Sequence, residues 1–510
     1  MNCLPIMLHT NSRCYLIFIA IAMVFVSSCR KDFEYQESSG NLSFSKDTVY
    51  LDTVFSTISS STYSLKVYNK SKNDVQIPTI SLAKGLESKY RINVDGQAGI
   101  NFYNTPLLAQ DSLYIFIETT LSMAANQANE FLYTDALVFD SGATEQRVAL
   151  VTLIKDAIFL YPKKNDNQIH EAINLLSENQ EESQDITGFL LDDSQLNFTN
   201  QKPYVIYGYA AIPENKTLNI AKGARVYFHK NSGLWVQKNS SLQVNGEVST
   251  HQETLENEVI FEGDRLEPEF SEIAGQWGTI WFDKESYNNR INYLTLKNAT
   301  VGLRVEGTNT STQQNLKITN SQIYNNSRIN LWGKSASIEA ENVVLGNSGG
   351  SSLHLTNGGT YNFTHLTIAN YWSAGFRIAA ALQIDNLNEK ALYQANFTNC
   401  IIDGSKSMEL AIRNTSNSAL NFFFDHCMLK VQGTLTTNND SLYDFSDTTK
   451  YQSIFLNEDA AFTNPRLHNF LIKENSFAIG KGTIEGALAV PNDIRGKVRA
   501  NLITLGAYQF

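Results

Sequence analysis

The chain has 510 residues and a formal net charge of −11, with 40 Lys and Arg against 51 Asp and Glu. That balance leaves no basic footprint and argues against nucleic acid as a partner. Hydrophobic residues make up 42% and charged residues 18%, which excludes a disordered chain and allows a large core in two or three domains.

Residues 1–28 read as an export signal. Arg13 supplies positive charge, Tyr15 to Val26 is an unbroken apolar run, and Val26-Ser27-Ser28 precede Cys29. The run is shorter than the ~20 residues a membrane-spanning helix needs. Val-Ser-Ser-Cys resembles the lipobox of bacterial lipoproteins. That resemblance implies cleavage before Cys29, lipidation of its thiol and a membrane partner held through acyl chains. Arg30-Lys31-Asp32-Phe33-Glu34 resembles the surface-export signal of Bacteroidota lipoproteins, which implies an outer-membrane lipoprotein displayed on the cell surface. Residues 29–41 are polar and read as a tether.

Between 42 and 156, short alternating strands are separated by turns: Val49–Leu51, Tyr63–Asn69, Leu113–Ile117, Ala136–Phe139 and Val148–Ile154. This spacing predicts a β-sandwich, and the order of the pieces resembles the Ig-like domains at the base of bacterial surface proteins. Residues 157–200 are polar and acidic, with one short helix expected around Glu171–Leu176, and read as a connector.

A solenoid is expected over 201–450, with C-terminal coils and a cap over 451–510. Six rows carry the signal: Ile291-Leu294-Leu296-Asn298, Ile318-Ser321-Ile323-Asn325, Ala340-Val343-Leu345-Asn347, Phe363-Leu366-Ile368-Asn370, Phe397-Cys400-Ile402-Gly404 and Phe424-Cys427-Leu429-Val431. Each row is a strand that buries one face and then turns, and recurrence at this period predicts stacked coils. Asn298, Asn325, Asn347 and Asn370 should align as an amide ladder at one corner. Pro213 to Glu247 and Gly275 to Ile280 resemble the opening coils of right-handed parallel β-helix proteins of the pectate-lyase-like class. Asn475–Gly480, Asn492–Gly496 and Leu505–Phe510 resemble their closing segment. The expected fold is all-β: an N-terminal Ig-like β-sandwich followed by a right-handed parallel β-helix solenoid.

The outward positions of the row strand (Thr295, Lys297, Gln322, Tyr324, Val344, Gly346, Thr367, Ala369, Ile401, Asp403, Met428 and Lys430) hold one carboxylate. An oxygen-ligated cation needs several and glycoside hydrolysis needs two, so this face reads as non-catalytic. In the strand after each turn, the buried pairs are expected at Leu303/Val305, Ile329/Leu331, Leu353/Leu355, Phe376/Ile378 and Leu410/Ile412. Arg304, Glu306, Arg328, Asn330, Trp332, His354, Arg377, Glu409 and Arg413 would then point outward as one patch. Arg forks suit carboxylates and sulfates, and Trp offers a stacking surface to a sugar ring. The competing reading is a solvated face whose Arg and Glu pair across coils.

His354 is a candidate general base by residue type, and Asp425-His426 is a local carboxylate–imidazole pair. No metal-ligand spacing occurs, and no cofactor or metal is expected. Cys400 and Cys427 share one slot in adjacent coils, which allows either a disulfide or two buried thiols.

The expected function is a cell-envelope lipoprotein whose β-helix binds an extended ligand, polysaccharide or a neighbouring envelope protein, without catalysis. The alternatives are a polysaccharide lyase or glycoside hydrolase using the Arg/His/Glu patch, and a protein-binding surface adhesin.

Overall fold

The computed structural model describes residues 35–122, 130–164, 170–176, 183–309, 313–414, 417–432 and 440–510. Cys29 and the export segment lie outside the described residues. The chain divides into two compact units, 1–122 with 132–154 and 123–131 with 155–510.

The first unit is the Ig-like β-sandwich. One sheet orders Gln36–Glu37, Val75–Leu82, Glu130–Phe139, Gln146–Lys155 and Thr48–Phe55, with Asn101–Leu107 also paired to Val75–Leu82. The other orders Ser43–Phe44, Tyr63–Tyr68, Ser112–Thr119, Tyr90–Val94 and Gln97–Gly99. Period-two alternation puts Leu65, Val67, Ile115, Ile117, Val148 and Leu150 into the core, while Lys66 and Tyr114 face out.

The second unit is a right-handed parallel β-helix. Its coils contribute one strand each, in turn, to three sheets. Sheet 1 runs from Ile158–Leu160 to Phe455–Leu456, sheet 2 from Ala172–Leu176 to Leu410–Arg413, and sheet 3 from Asn197–Phe198 to Tyr451–Gln452. Sheet 2 opens with one antiparallel pair, Ala172–Leu176 against Ser183–Leu190, and continues in parallel. The first coil therefore lies inside the stretch 157–200 expected as a connector. The helix expected near Glu171 is a strand there, because its backbone finds a ladder partner in Ser183–Leu190.

The six-row repeat is realised in register. Ile291, Ile318, Ala340, Phe363, Phe397 and Phe424 pair consecutively in sheet 3. Leu296, Ile323, Leu345, Ile368, Ile402 and Leu429 do the same in sheet 1. All twelve are buried. Phe363–Phe397 and Phe397–Phe424 stack with centroids 4.9 and 4.6 Å apart, each such pair adding about 0.5–1.5 kcal/mol beyond burial.

Corners need residues that accept positive φ, and Asn does so readily. Asn298, Asn325 and Asn347 have φ of 66°, 53° and 28° between sheets 1 and 2. The amide ladder is partial. Asn325 Nδ2 donates to Asn298 Oδ1 at 2.8 Å, but Asn347 donates to Pro465 O and Asn370 to Ser348 Oγ and Gly350 O. A second polar stack, not foreseen from the sequence, turns the corner between sheets 3 and 1. Asn320, Asn342, His365, Asn399 and His426 take positive φ there, and Asn342 Nδ2 donates to Asn320 Oδ1 at 3.0 Å.

The C-terminal segment lies along the outer face of sheet 1. Phe462, Phe470, Ala478, Ile494, Leu505, Ala507 and Tyr508 pack on Val344, Ala369, Ile401 and Met428. The outward row expected to meet solvent is thus largely covered, which explains its apolar members. Gly346 is required beneath this cover, since a Cβ there would sit 2.1 Å from Phe470. His365 is buried between Asn399 and Gly506 O, and burial with the nearby Arg499 charge holds its imidazole well below the usual range.

Candidate functional site

Sheet 2 carries most of the expected patch, and the structure sorts its members. Outward register aligns Trp235, Trp281, Arg304, Trp332 and His354 on five consecutive coils. Trp235 and Trp281 lie with ring centroids 6.0 Å apart at 32°. The Arg304 guanidinium sits 4.1 Å from the Trp281 ring centre and 5.3 Å from that of Trp332. Trp332 and His354 follow at 6.3 Å and 10°. The result is one continuous stack in which Arg304 is sandwiched between two indoles, a favourable site for its planar cation. Trp235 and Trp281 were missed as site residues because their coils lie upstream of the asparagine rows. Their signal was the strand triplets Leu234-Trp235-Val236 and Ile280-Trp281-Phe282, each with Trp at the outward position.

A polar column borders the stack. Glu306 and Lys334 are register partners, as are Asp385 and Arg413, while Asp283 follows Phe282, the partner of Val305. Glu306 is mostly covered and accepts from Arg304 Nε at 2.7 Å. Asp385 receives His354 Nε2 at 3.4 Å, Thr356 Oγ1 at 2.6 Å and the Asn357 and Leu387 backbone N–H groups at 3.2 Å. Burial pushes its carboxyl up, but these hydrogen bonds outweigh it and hold the group below the usual range. Asp283 goes the other way. Burial raises it, the neighbouring Glu306 charge adds to the rise, and one hydrogen bond from Glu285 N only partly offsets them.

Five expected positions need correction. Arg377 and Glu409 face inward as a buried ion pair, 7% and 0% exposed. Glu409 accepts from Arg377 Nη1 at 2.8 Å and Nη2 at 2.5 Å, and from Ala381 N and Lys406 N. Asn330 is buried, accepting from Asn326 Nδ2 and donating to Gly346 O, because the corner turns its side chain under sheet 1. The pair Phe376/Ile378 is not in a strand. Both are exposed, at 90% and 78%, on the loop pinned by Arg377, and the strand of that coil is Leu382–Asp385. Arg328 lies exposed in a turn, and Arg413 is exposed at its strand end.

Cys400 and Cys427 are free, buried thiols on adjacent coils. Among the described residues, no group of three His, Cys, Asp or Glu could hold a metal ion.

No protein-family model matches the chain, and no curated protein matches it. Solved structures give remote likenesses. The catalytic unit of a thermostable GH87 alpha-1,3-glucanase from Streptomyces thermodiastaticus strain HF3-3 is similar over 71% of this chain and 79% of its own, at 11% identity and a TM-score of 0.26. The Agl-KA catalytic domain is similar over 71% and 77%, at 12% and 0.21. The Vibrio cholerae VesB protease is similar over 22% of this chain and only 32% of its own length, at 11% and 0.16. Scores this low carry no argument about activity.

Proposed function

We propose that the protein is a surface-displayed outer-membrane lipoprotein, anchored through Cys29, whose β-helix binds an extended glycan along sheet 2 without chemical conversion. The observation that carries the binding is the five-coil stack Trp235–Trp281–Arg304–Trp332–His354 with its bordering polar column. Carbohydrate recognition calls for apolar and aromatic surface beside a few fixed hydrogen-bonding groups, and the coil repeat sets both at regular intervals. Charge speaks for an uncharged glycan over a polyanion. Asp283, Glu306 and Asp385 offset Arg304, Lys334 and Arg413 on this face, and Arg304 is already neutralised by Glu306. The test is affinity electrophoresis of residues 30–510 through gels cast with neutral or uronic-acid polysaccharides. Retardation by a neutral glycan, lost in Trp332→Ala and Trp281→Ala, supports the reading. Unchanged mobility in every gel refutes it.

One observation favours a second reading, glycoside hydrolysis. Asp283, with its raised carboxyl, stands one coil from Glu306 beside the stack, and such hydrolysis uses a protonated carboxyl with a second carboxylate. Reducing ends released from a bound glycan, and abolished by Asp283→Asn, would establish it.

A further inference from the structure

One aromatic ring on this face stands outside the stack. Tyr209 lies on sheet 2 two residues before the stack's column, in the register Tyr209–Gly233, with Gly233 followed by Trp235 two positions on. Its ring rests on glycine backbone from the next two coils. A Cβ on Gly233 would lie 2.6 Å from Tyr209 Cε1, and one on Gly278 would lie 2.2 Å from its hydroxyl oxygen. Both positions must therefore be glycine for the ring to lie where it does. Gly278 lies three residues before Trp281, so the ring rests against the coil that carries the second indole of the stack.

Beside this ring opens a cavity of about 370 Å3, lined by Ile186, Thr187, Tyr209, Asn231, Thr279 and Val301 among others. Its volume falls in the range of small-ligand sites. The lining combines one aromatic ring and two aliphatic side chains with hydroxyls and an amide, and none of the described lining residues is charged. These lining residues offer an ion no direct charge partner for the hydration it would lose, whereas a polyol can pack its C–H surface on the ring and meet the hydroxyls and amide with its own.

We infer that the cavity beside Tyr209 is a discrete subsite for one uncharged sugar ring at the N-terminal end of the Trp–Arg–Trp stack. This rests on the glycan-binding reading and adds a position, a ligand class and a polarity to it. A glycan seated here runs on over Trp235 and Trp281, so oligosaccharides long enough to reach both bind more tightly than a single sugar.

Titration calorimetry of residues 30–510 with cellopentaose, laminaripentaose, maltopentaose and oligogalacturonate tests the inference, with circular dichroism to verify folding. One or more neutral sugars should bind, and Tyr209→Ala should weaken binding by about tenfold, the worth of one aromatic packing contact. Thr187→Trp, which fills the cavity from an exposed position, should weaken it comparably and serves as the independent arm if Tyr209→Ala fails to fold. Trp332→Ala reports on the stack alone. If Trp332→Ala loses binding while the Tyr209 and Thr187 variants bind like wild type, the subsite is wrong and the stack reading stands. If the wild type prefers oligogalacturonate or binds none of the four, both fall.

Discussion

Replacing Arg377 with Met separates a structural from a ligand-binding role for the most charged spot in the expected patch. Glu409 is fully buried and accepts four hydrogen bonds, two of them from Arg377 and two from the Ala381 and Lys406 backbone. Arg377→Met leaves the carboxylate buried with only those two backbone donors, and loss of one partner of a buried pair costs about 3–5 kcal/mol. Glu409→Gln added to Arg377→Met removes the stranded charge while keeping an oxygen for the backbone donors, so the double variant should recover most of the loss. Arg377 also donates to Asn370 O and Ala379 O, so opening should concentrate in residues 371–381. Native-state hydrogen exchange resolves this local opening. Exchange in 371–381 should accelerate by at least a hundredfold in Arg377→Met and return towards wild type in the double variant. Unchanged exchange in the single variant, or a double variant as open as the single, refutes the reasoning. Intact exchange with lost glycan binding would restore Arg377 to the ligand-binding set.

Gly346→Val should drive Phe470 from its seat and cost about 3 kcal/mol or more, seen as early proteolytic release of the C-terminal segment; a wild-type cleavage pattern contradicts that packing. His365 should make stability fall on acidification. Its folded-state value lies well below the ordinary ~6.5, so the unfolded chain takes up a proton that the folded chain refuses. This contribution is complete above pH ~6.5 and shrinks as pH drops below it, and His365→Gln should flatten the fall in unfolding midpoint; an identical slope in the variant rules the residue out. Cys400 and Cys427 should resist thiol reagents in folded residues 30–510, burial holding the Cys427 thiol well above its usual range, and give two titratable thiols after unfolding without reductant. Two thiols missing from that count would mean a disulfide.

The stacked coils were legible because each row repeats a local rule, an apolar residue every second position and then a turn residue that tolerates positive φ. Those rules act over a few residues, so sequence spacing alone aligned Ile291 with Phe424 and Leu296 with Leu429. The site was less legible where a long-range partner decides. Phe376-Arg377-Ile378 has the same alternation as Leu382-Gln383-Ile384, and nothing local says which is the strand. The choice falls to Glu409, 32 residues downstream, which buries Arg377 and so turns Phe376 and Ile378 outward. Val344, Ile401 and Met428 did carry a signal, being apolar at positions assigned to solvent. Recognising their cover required the far C-terminal Phe470 and Tyr508, at separations no periodicity reports.

That cover changes how the solenoid should come apart. A bare stack of coils touches only its neighbours and can fray from either end one turn at a time. Here Tyr508 hydrogen-bonds Gln322 and Ala507 hydrogen-bonds Thr367, partners 186 and 140 residues away, so one strap crosses several turns at once. Losing a middle turn therefore also tears the strap, and the turns beneath it should melt as a block. Assembly bears the opposite cost, because the strap closes such long loops that it docks late. Until it docks, Val344, Ile401 and Met428 form a naked greasy row that invites a second chain.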